Sequence, residues 1–145
     1  MSGDTDTLAP TPEPQIAEVK TRVVLVDARP DRRAVMRQVF EHSGVDAAVV
    51  AEADTGADAV PLVGRHGAQV VVVELPTPLA DGLAVIGELQ RQLPHVTIVV
   101  ISFAGDSSIK EKALAAGADA YLVKPVSARE IVAAVPITAP LEDVG

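Results

Sequence analysis

Cysteine is absent from the 145 residues, and tryptophan with it; the whole aromatic content is one tyrosine and two phenylalanines. The first absence removes disulfides, thiolate metal sites and cysteine nucleophiles. The second means that a core must be built from Val, Ala, Leu and Ile, which supply most of a hydrophobic content of 48%. No apolar run approaches the length of a membrane span, and no basic segment followed by an apolar one opens the chain, so a cytoplasmic protein is the expectation. The three histidines, His42, His66 and His95, have no ligand spacing among them. There is no GxGxxG or Walker pattern for a nucleotide. The formal charge is −8, and residues 21–135 hold 14 acidic against 11 basic side chains, which disfavours direct binding of nucleic acid.

What is present is a repeated alternation. Residues 1–20, rich in Asp, Thr and Pro without apolar periodicity, read as a disordered leader. Arg22–Asp27 (RVVLVD) predicts a strand ending in an acid, and Pro30–Asp31 opens a helix with Val35, Met36, Val39 and Phe40 on one face, ended by Gly44. Val45–Ala51 predicts a weaker edge strand. Thr55 with Asp58 predicts a cap for a short helix to about Arg65, its interior deformed by Pro61. Val70–Glu74 (VVVVE), four valines without polar alternation, suits a strand buried on both faces. Pro76 and Pro78 prevent a helix from running straight on, and a third helix is expected from Asp81 to Leu93, stopped by Pro94.

Val96–Ser102 predicts a fourth strand. Ser108 with Glu111 predicts a capping box for a fourth helix, with Gly117 as its left-handed stop. Ala120–Val123 predicts a fifth strand leading into Lys124-Pro125, and Ser127 with Glu130 a capping box for a last helix to Val135. Residues 136–145 read as a flexible tail. Five strand–helix units over 21–135 predict one three-layer, doubly wound (βα)5 domain, flavodoxin-like, with a parallel five-stranded sheet in the order 2-1-3-4-5.

Four of these strands deliver Asp27, Glu74, Ser102 and Lys124 to the carboxyl edge of the sheet, where ligands collect in open α/β folds. Two carboxylates, a hydroxyl and an ammonium can handle a phosphoryl group. From Arg22 to about Val135 the chain resembles a response-regulator receiver domain of two-component signalling. The resemblance rests on VLVD at Val24–Asp27, the spacing from Glu74 to Pro78 and Asp81-Gly82, Ser102 at the switch hydroxyl, Tyr121 at the switch aromatic, and Lys124-Pro125.

That family receives a phosphoryl group from a histidine kinase on an aspartate, with Mg2+ held by an acidic pair and the acceptor. Here the pattern departs at the chemistry. Glu74 stands at the acceptor position, its carboxylate one methylene, about 1.5 Å, further out. Ala28 replaces the second acid of the pair, and Mg2+ loses a hard oxygen ligand. Phe103 follows Ser102 where a small residue is usual, and could roof the pocket. Arg29 is a candidate charge substitute for the metal, while the arginines at 29, 32, 33 and 37 otherwise read as a solvated helix face. A direct Glu74–Lys124 ion pair is expected, supported by the Ser102 hydroxyl and shielded by Phe103.

The expectation is an atypical, non-phosphorylated receiver, not an enzyme, with Mg2+ weak or absent and Asp27 and Glu74 its only ligands should it bind. It would act on a protein partner, a histidine kinase or another regulator, through the face of helix four, strand five and helix five, as a monomer or weak homodimer. Two alternatives stay open at this point: a phosphorylatable response regulator, and the regulatory half of a transcription factor. A small α/β enzyme lacks an activated nucleophile or cofactor motif.

Overall fold

The computed structural model describes residues 20–75 and 79–135; for residues 79–81 it defines the backbone only. The expected leader and tail, and Pro76 and Pro78, lie outside the described residues. Five strands and five helices alternate: β1 Thr21–Val26, α1 Pro30–Glu41, β2 Ala47–Ala53, α2 Gly56–His66, β3 Val70–Glu74, α3 Leu79–Gln92, β4 Thr97–Ser102, α4 Ser107–Ala116, β5 Ala120–Val123 and α5 Ala128–Ala133. All strands are parallel, in the order β2-β1-β3-β4-β5. This is the flavodoxin-like arrangement expected from the alternation.

The valine runs explain the layers. Successive strand side chains point to opposite faces, so a continuous apolar strand feeds two cores at once. Val23, Leu25, Val70, Val72, Val99 and Ile101 face α1 and α5, where Phe40, Ala128 and Ile131 close over them. Val24, Val26, Val71, Val73, Ile98, Val100 and Tyr121 face the other way, against Ala59 and Val63 of α2, Ile86 and Leu89 of α3 and Ala113 of α4. Both faces of β3 are buried along its whole length. At Gly56, the first residue of α2, a Cβ would stand 2.7 Å from Val85 of α3, so glycine permits the close approach of these two helices.

Several boundaries differ from expectation. β2 begins at Ala47 rather than Val45, because the Ser43 hydroxyl accepts the Val45 N–H and the Val45 carbonyl accepts the Ala47 N–H, a tight turn that consumes both residues. α2 continues through Pro61 to His66; the proline forgoes one N–H inside the helix, while Thr55 Oγ1 accepts the Asp58 N–H at the start and Gly67 closes it in the left-handed region. α3 begins two residues before Asp81, and β4 one residue after Val96.

The capping box expected at Ser108 does not form. Asp106 is the N-cap of α4, its carboxylate accepting the Ser108 N–H at 2.8 Å, so Ser108 is already inside the helix. The same bond holds Asp106 below the usual carboxylate range. Gly117 does end α4 with positive φ, at 129°, but outside the left-handed helical region. At α5 the Ser127–Glu130 box is complete, with Ser127 Oγ accepting the Glu130 N–H at 3.1 Å and Glu130 returning to the Ser127 N–H at 2.8 Å. The helix stops at Ala133, two residues short of Val135.

Candidate functional site

The site is the carboxyl end of the face that α1 covers. Following the two-residue period up each strand, Leu25 leads to Asp27, Val72 to Glu74, Ile101 to Phe103 and Leu122 to Lys124. Parallel pairing sets Leu25 beside Val72 and Glu74 beside Ile101, so the four row ends converge. Asp27, Glu74, Phe103 and Lys124 all line one cavity there.

The expected ion pair is present. Lys124 Nζ lies 2.6 Å from Glu74 Oε1, with side chains only 14% and 6% exposed. Burial pushes the Glu74 carboxyl above the usual carboxylate range; the hydrogen bond and charge of Lys124 oppose this, Asp27 adds to it and Arg32 offsets it. A short ion pair and a raised carboxyl are compatible, because lost hydration of a carboxylate this deeply placed exceeds what one ammonium returns.

The second cation is Arg32, not Arg29. Arg29 is the N-cap residue of α1, and its guanidinium runs outward to Asp31 at 3.1 Å, both side chains well exposed. Arg32, one turn in, places Nη1 3.4 Å from Glu74 Oε2 and Nε 3.9 Å from Asp27 Oδ2. Its helical position signals this: residues 32, 36, 39 and 40 share the stripe that faces the sheet. The remaining arginines are not a solvated face either. Arg33 binds Glu52 at 3.0 Å and Asp54 at 2.7 Å, and also donates to the Asp27 carbonyl, while Arg37 binds Glu52 at 2.6 Å. Burial works against the Glu52 charge, yet Arg37 and Arg33 hold its carboxyl below the usual range.

Ser102 does not support the ion pair. It continues the row of Ile98 and Val100, on the opposite face, and its hydroxyl accepts the Ala104 N–H at 3.0 Å. Tyr121 shares that face; it is buried, and its hydroxyl donates to the Ala104 carbonyl at 2.5 Å, so both side chains hold the β4–α4 turn. Phe103 shields less than expected. It is 75% exposed, with its ring centroid 4.6 Å from Lys124 Nζ, a cation–π contact that covers the ammonium from the solvent side. Lys124 is joined to Pro125 by a cis peptide, and its N–H donates to the Ser102 carbonyl at 2.7 Å.

Asp27 is one-tenth exposed; Oδ1 accepts the Arg29 N–H at 2.8 Å. Ala28 contributes no oxygen beside it. Among the described residues, no group of three or more His, Cys, Asp or Glu side chains is placed to hold a metal ion.

A doubly wound α/β domain with two acids and a lysine at the ends of β1, β3 and β5 has the arrangement of a signalling receiver module. The chain belongs to the response regulator receiver domain family, whose model matches residues 23–136. It is similar to the chemotaxis protein CheY of Bacillus subtilis, 29% identical over 114 residues, which are 79% of this chain and 93% of that protein. It is also similar to the transcriptional regulatory protein KdpE of Mycobacterium tuberculosis, 34% identical over 113 residues covering 78% of this chain and 48% of that one. Among solved structures, the signal receiver domain of the response regulator NarL from Mycobacterium tuberculosis matches with a TM-score of 0.66 and 32% identity, over 79% of this chain and 92% of that one. The chain thus spans nearly the whole of the chemotaxis protein but about half of the transcriptional regulator. It is a response regulator receiver domain of two-component signalling.

Proposed function

We propose that this receiver works without phosphorylation, as a signalling module whose acceptor site is closed from within and whose output is contact with a protein partner. The Glu74–Lys124 pair carries the reading: at 2.6 Å it brings the acceptor-position carboxylate and the phosphate-side lysine together, in the space a phosphoryl group would need. The donor set also suits Mg2+ poorly. Ala28 withholds an oxygen, Glu74 Oε1 is bound to Lys124, and the Arg32 guanidinium stands between the two remaining carboxylates.

On this reading the domain is cytoplasmic and not an enzyme, and holds one conformation regardless of kinase activity. Its partner, a kinase or another regulator, docks on α4, β5 and α5, where Leu114 and Val123 are exposed apolar side chains. The excess of acidic side chains supports a protein partner over nucleic acid. Incubation with acetyl phosphate and Mg2+, followed by intact mass measurement, should give no phosphoryl adduct. A stoichiometric adduct mapped to Glu74 would sink the proposal.

A further inference from the structure

The charged edge opens into a groove of about 500 Å3 between Val35, Met36 and Val39 of α1 and Phe103, Pro125 and Val126 at the ends of β4 and β5, with Leu25, Val72 and Ile101, each 2% exposed, as its floor. Its size falls within the range of small-molecule sites, roughly 300–1,000 Å3. The cause is local: α5 has six residues, its inner side chains Ala128 and Ile131 cover the lower part of this face, and none of its residues lines the cavity. Val35, on the rim, is left 63% exposed.

One polar atom at the mouth has no hydrogen bond among the described residues. Asp27 Oδ1 takes the Arg29 N–H, while Arg32 Nε stands 3.9 Å from Oδ2, too far for a hydrogen bond, although the side chain is nine-tenths buried. A buried acceptor left in this state favours an incoming donor. The other charges at the mouth are matched: Asp27 and Glu74 face Arg32 and Lys124, while Asp31 is paired with Arg29, and Arg33 with Glu52 and Asp54. Asp27, Glu74, Arg32 and Lys124 sum to zero, so they leave no net counter-charge to offset the lost hydration of a charged ligand.

We infer that this groove binds an uncharged, mainly apolar small molecule with one hydroxyl or N–H donor, its body between Met36 and Val39 of α1 and Val126 after β5, and its donor on Asp27 Oδ2. Such a ligand would lie against α1 and under the Arg32 guanidinium, beside the Glu74–Lys124 pair. A small-molecule input would then reach the domain where kinase input is closed. The site stands on the cavity and on Asp27, whether or not Glu74 accepts phosphate.

The test uses the full chain and three probes of one shape, 1-naphthol, 1-naphthoate and 1-naphthylmethylammonium, followed by amide NMR. 1-Naphthol should give saturable shifts at Leu25, Asp27, Met36 and Val72 and bind more tightly than either charged probe. Asp27→Ala should weaken it about tenfold, and Val39→Phe, which fills the cavity, should abolish it. If Val39→Phe fails to fold, Val35→Trp at the exposed rim blocks the same mouth without touching the core. The inference is overturned by an absence of saturable shifts, by equal or tighter binding of a charged probe, by binding that survives the blocking variant, or by shifts confined to the α4–β5 face. It is equally overturned if concentrating the protein alone reproduces the shifts, since a second copy of the chain would then be the occupant.

Discussion

Consecutive residues of α1 serve two ion-pair clusters that behave in opposite ways. Arg32 reaches the sheet edge, where Glu74 is held mainly by Lys124 and is buried; Arg33 and Arg37 reach β2, where both bind Glu52, whose side chain is 26% exposed. Two cations serve the carboxylate in each case, yet the Glu74 carboxyl is raised and the Glu52 carboxyl is lowered. Access to water decides between them. At Glu52 two short guanidinium contacts of 3.0 and 2.6 Å outweigh a partial loss of hydration, whereas at Glu74 one short and one 3.4 Å contact do not outweigh a nearly complete one. The β2 cluster is therefore a fastening for α1, whereas the edge cluster holds a carboxylate whose burial works against its charge.

Four variants set the contrast on a scale. Lys124→Ala strands Glu74 in a buried position and should destabilise the fold by about 3 kcal/mol in urea denaturation at neutral pH. Arg37→Ala leaves Glu52 with Arg33 and a path to water, and should cost about 1 kcal/mol by the same measurement. Arg29→Ala, which removes only an exposed contact with Asp31, should change stability by less than about 0.5 kcal/mol. Restoring the family's acids with Ala28→Asp and Glu74→Asp together should open the edge, and should give more acetyl phosphate-dependent mass addition than the native chain.

The pH dependence separates the clusters by sign. With Glu74 raised in the fold, the unfolded chain releases its proton first, near 4.5, so the folded state holds more protons between that value and its own and loses stability as pH rises through the window. Glu74→Gln removes this fall. With Glu52 lowered, its contribution is present above 4.5 and is lost as pH falls through the folded value, and Glu52→Gln removes that loss. Denaturation midpoints of the two variants, measured against the native chain from acid to neutral pH, should diverge from it with opposite slopes.

The fold was legible because its signals are coarse. Valine runs, prolines and capping residues give the five strand–helix units, and errors of one or two residues arise where a side chain rather than the period decides, as at Ser43 before β2 and Asp106 before α4. Within the site, Asp27, Glu74 and Lys124 could be placed because each ends an apolar strand. Ser102 also ends one, but on the opposite face; the parity of its row with Ile98 and Val100 carried that information. Arg29 lies next to Ala28 in sequence, but a helix brings in the residue one turn on, and Arg32 shares the stripe of Met36, Val39 and Phe40. The cavity was not legible, since it depends on how little of one sheet face a six-residue helix can cover.

If Glu74 and Lys124 act as one unit at the sheet edge, their contributions to stability are coupled, and a double-mutant cycle measures that coupling directly. Glu74→Gln, Lys124→Met and the double variant, each measured by urea denaturation at neutral pH, should give a coupling energy of about 2 kcal/mol, with the double variant less destabilised than the single losses predict. Additive losses would contradict the account, because two side chains that stabilise the fold independently cannot hold the acceptor site closed.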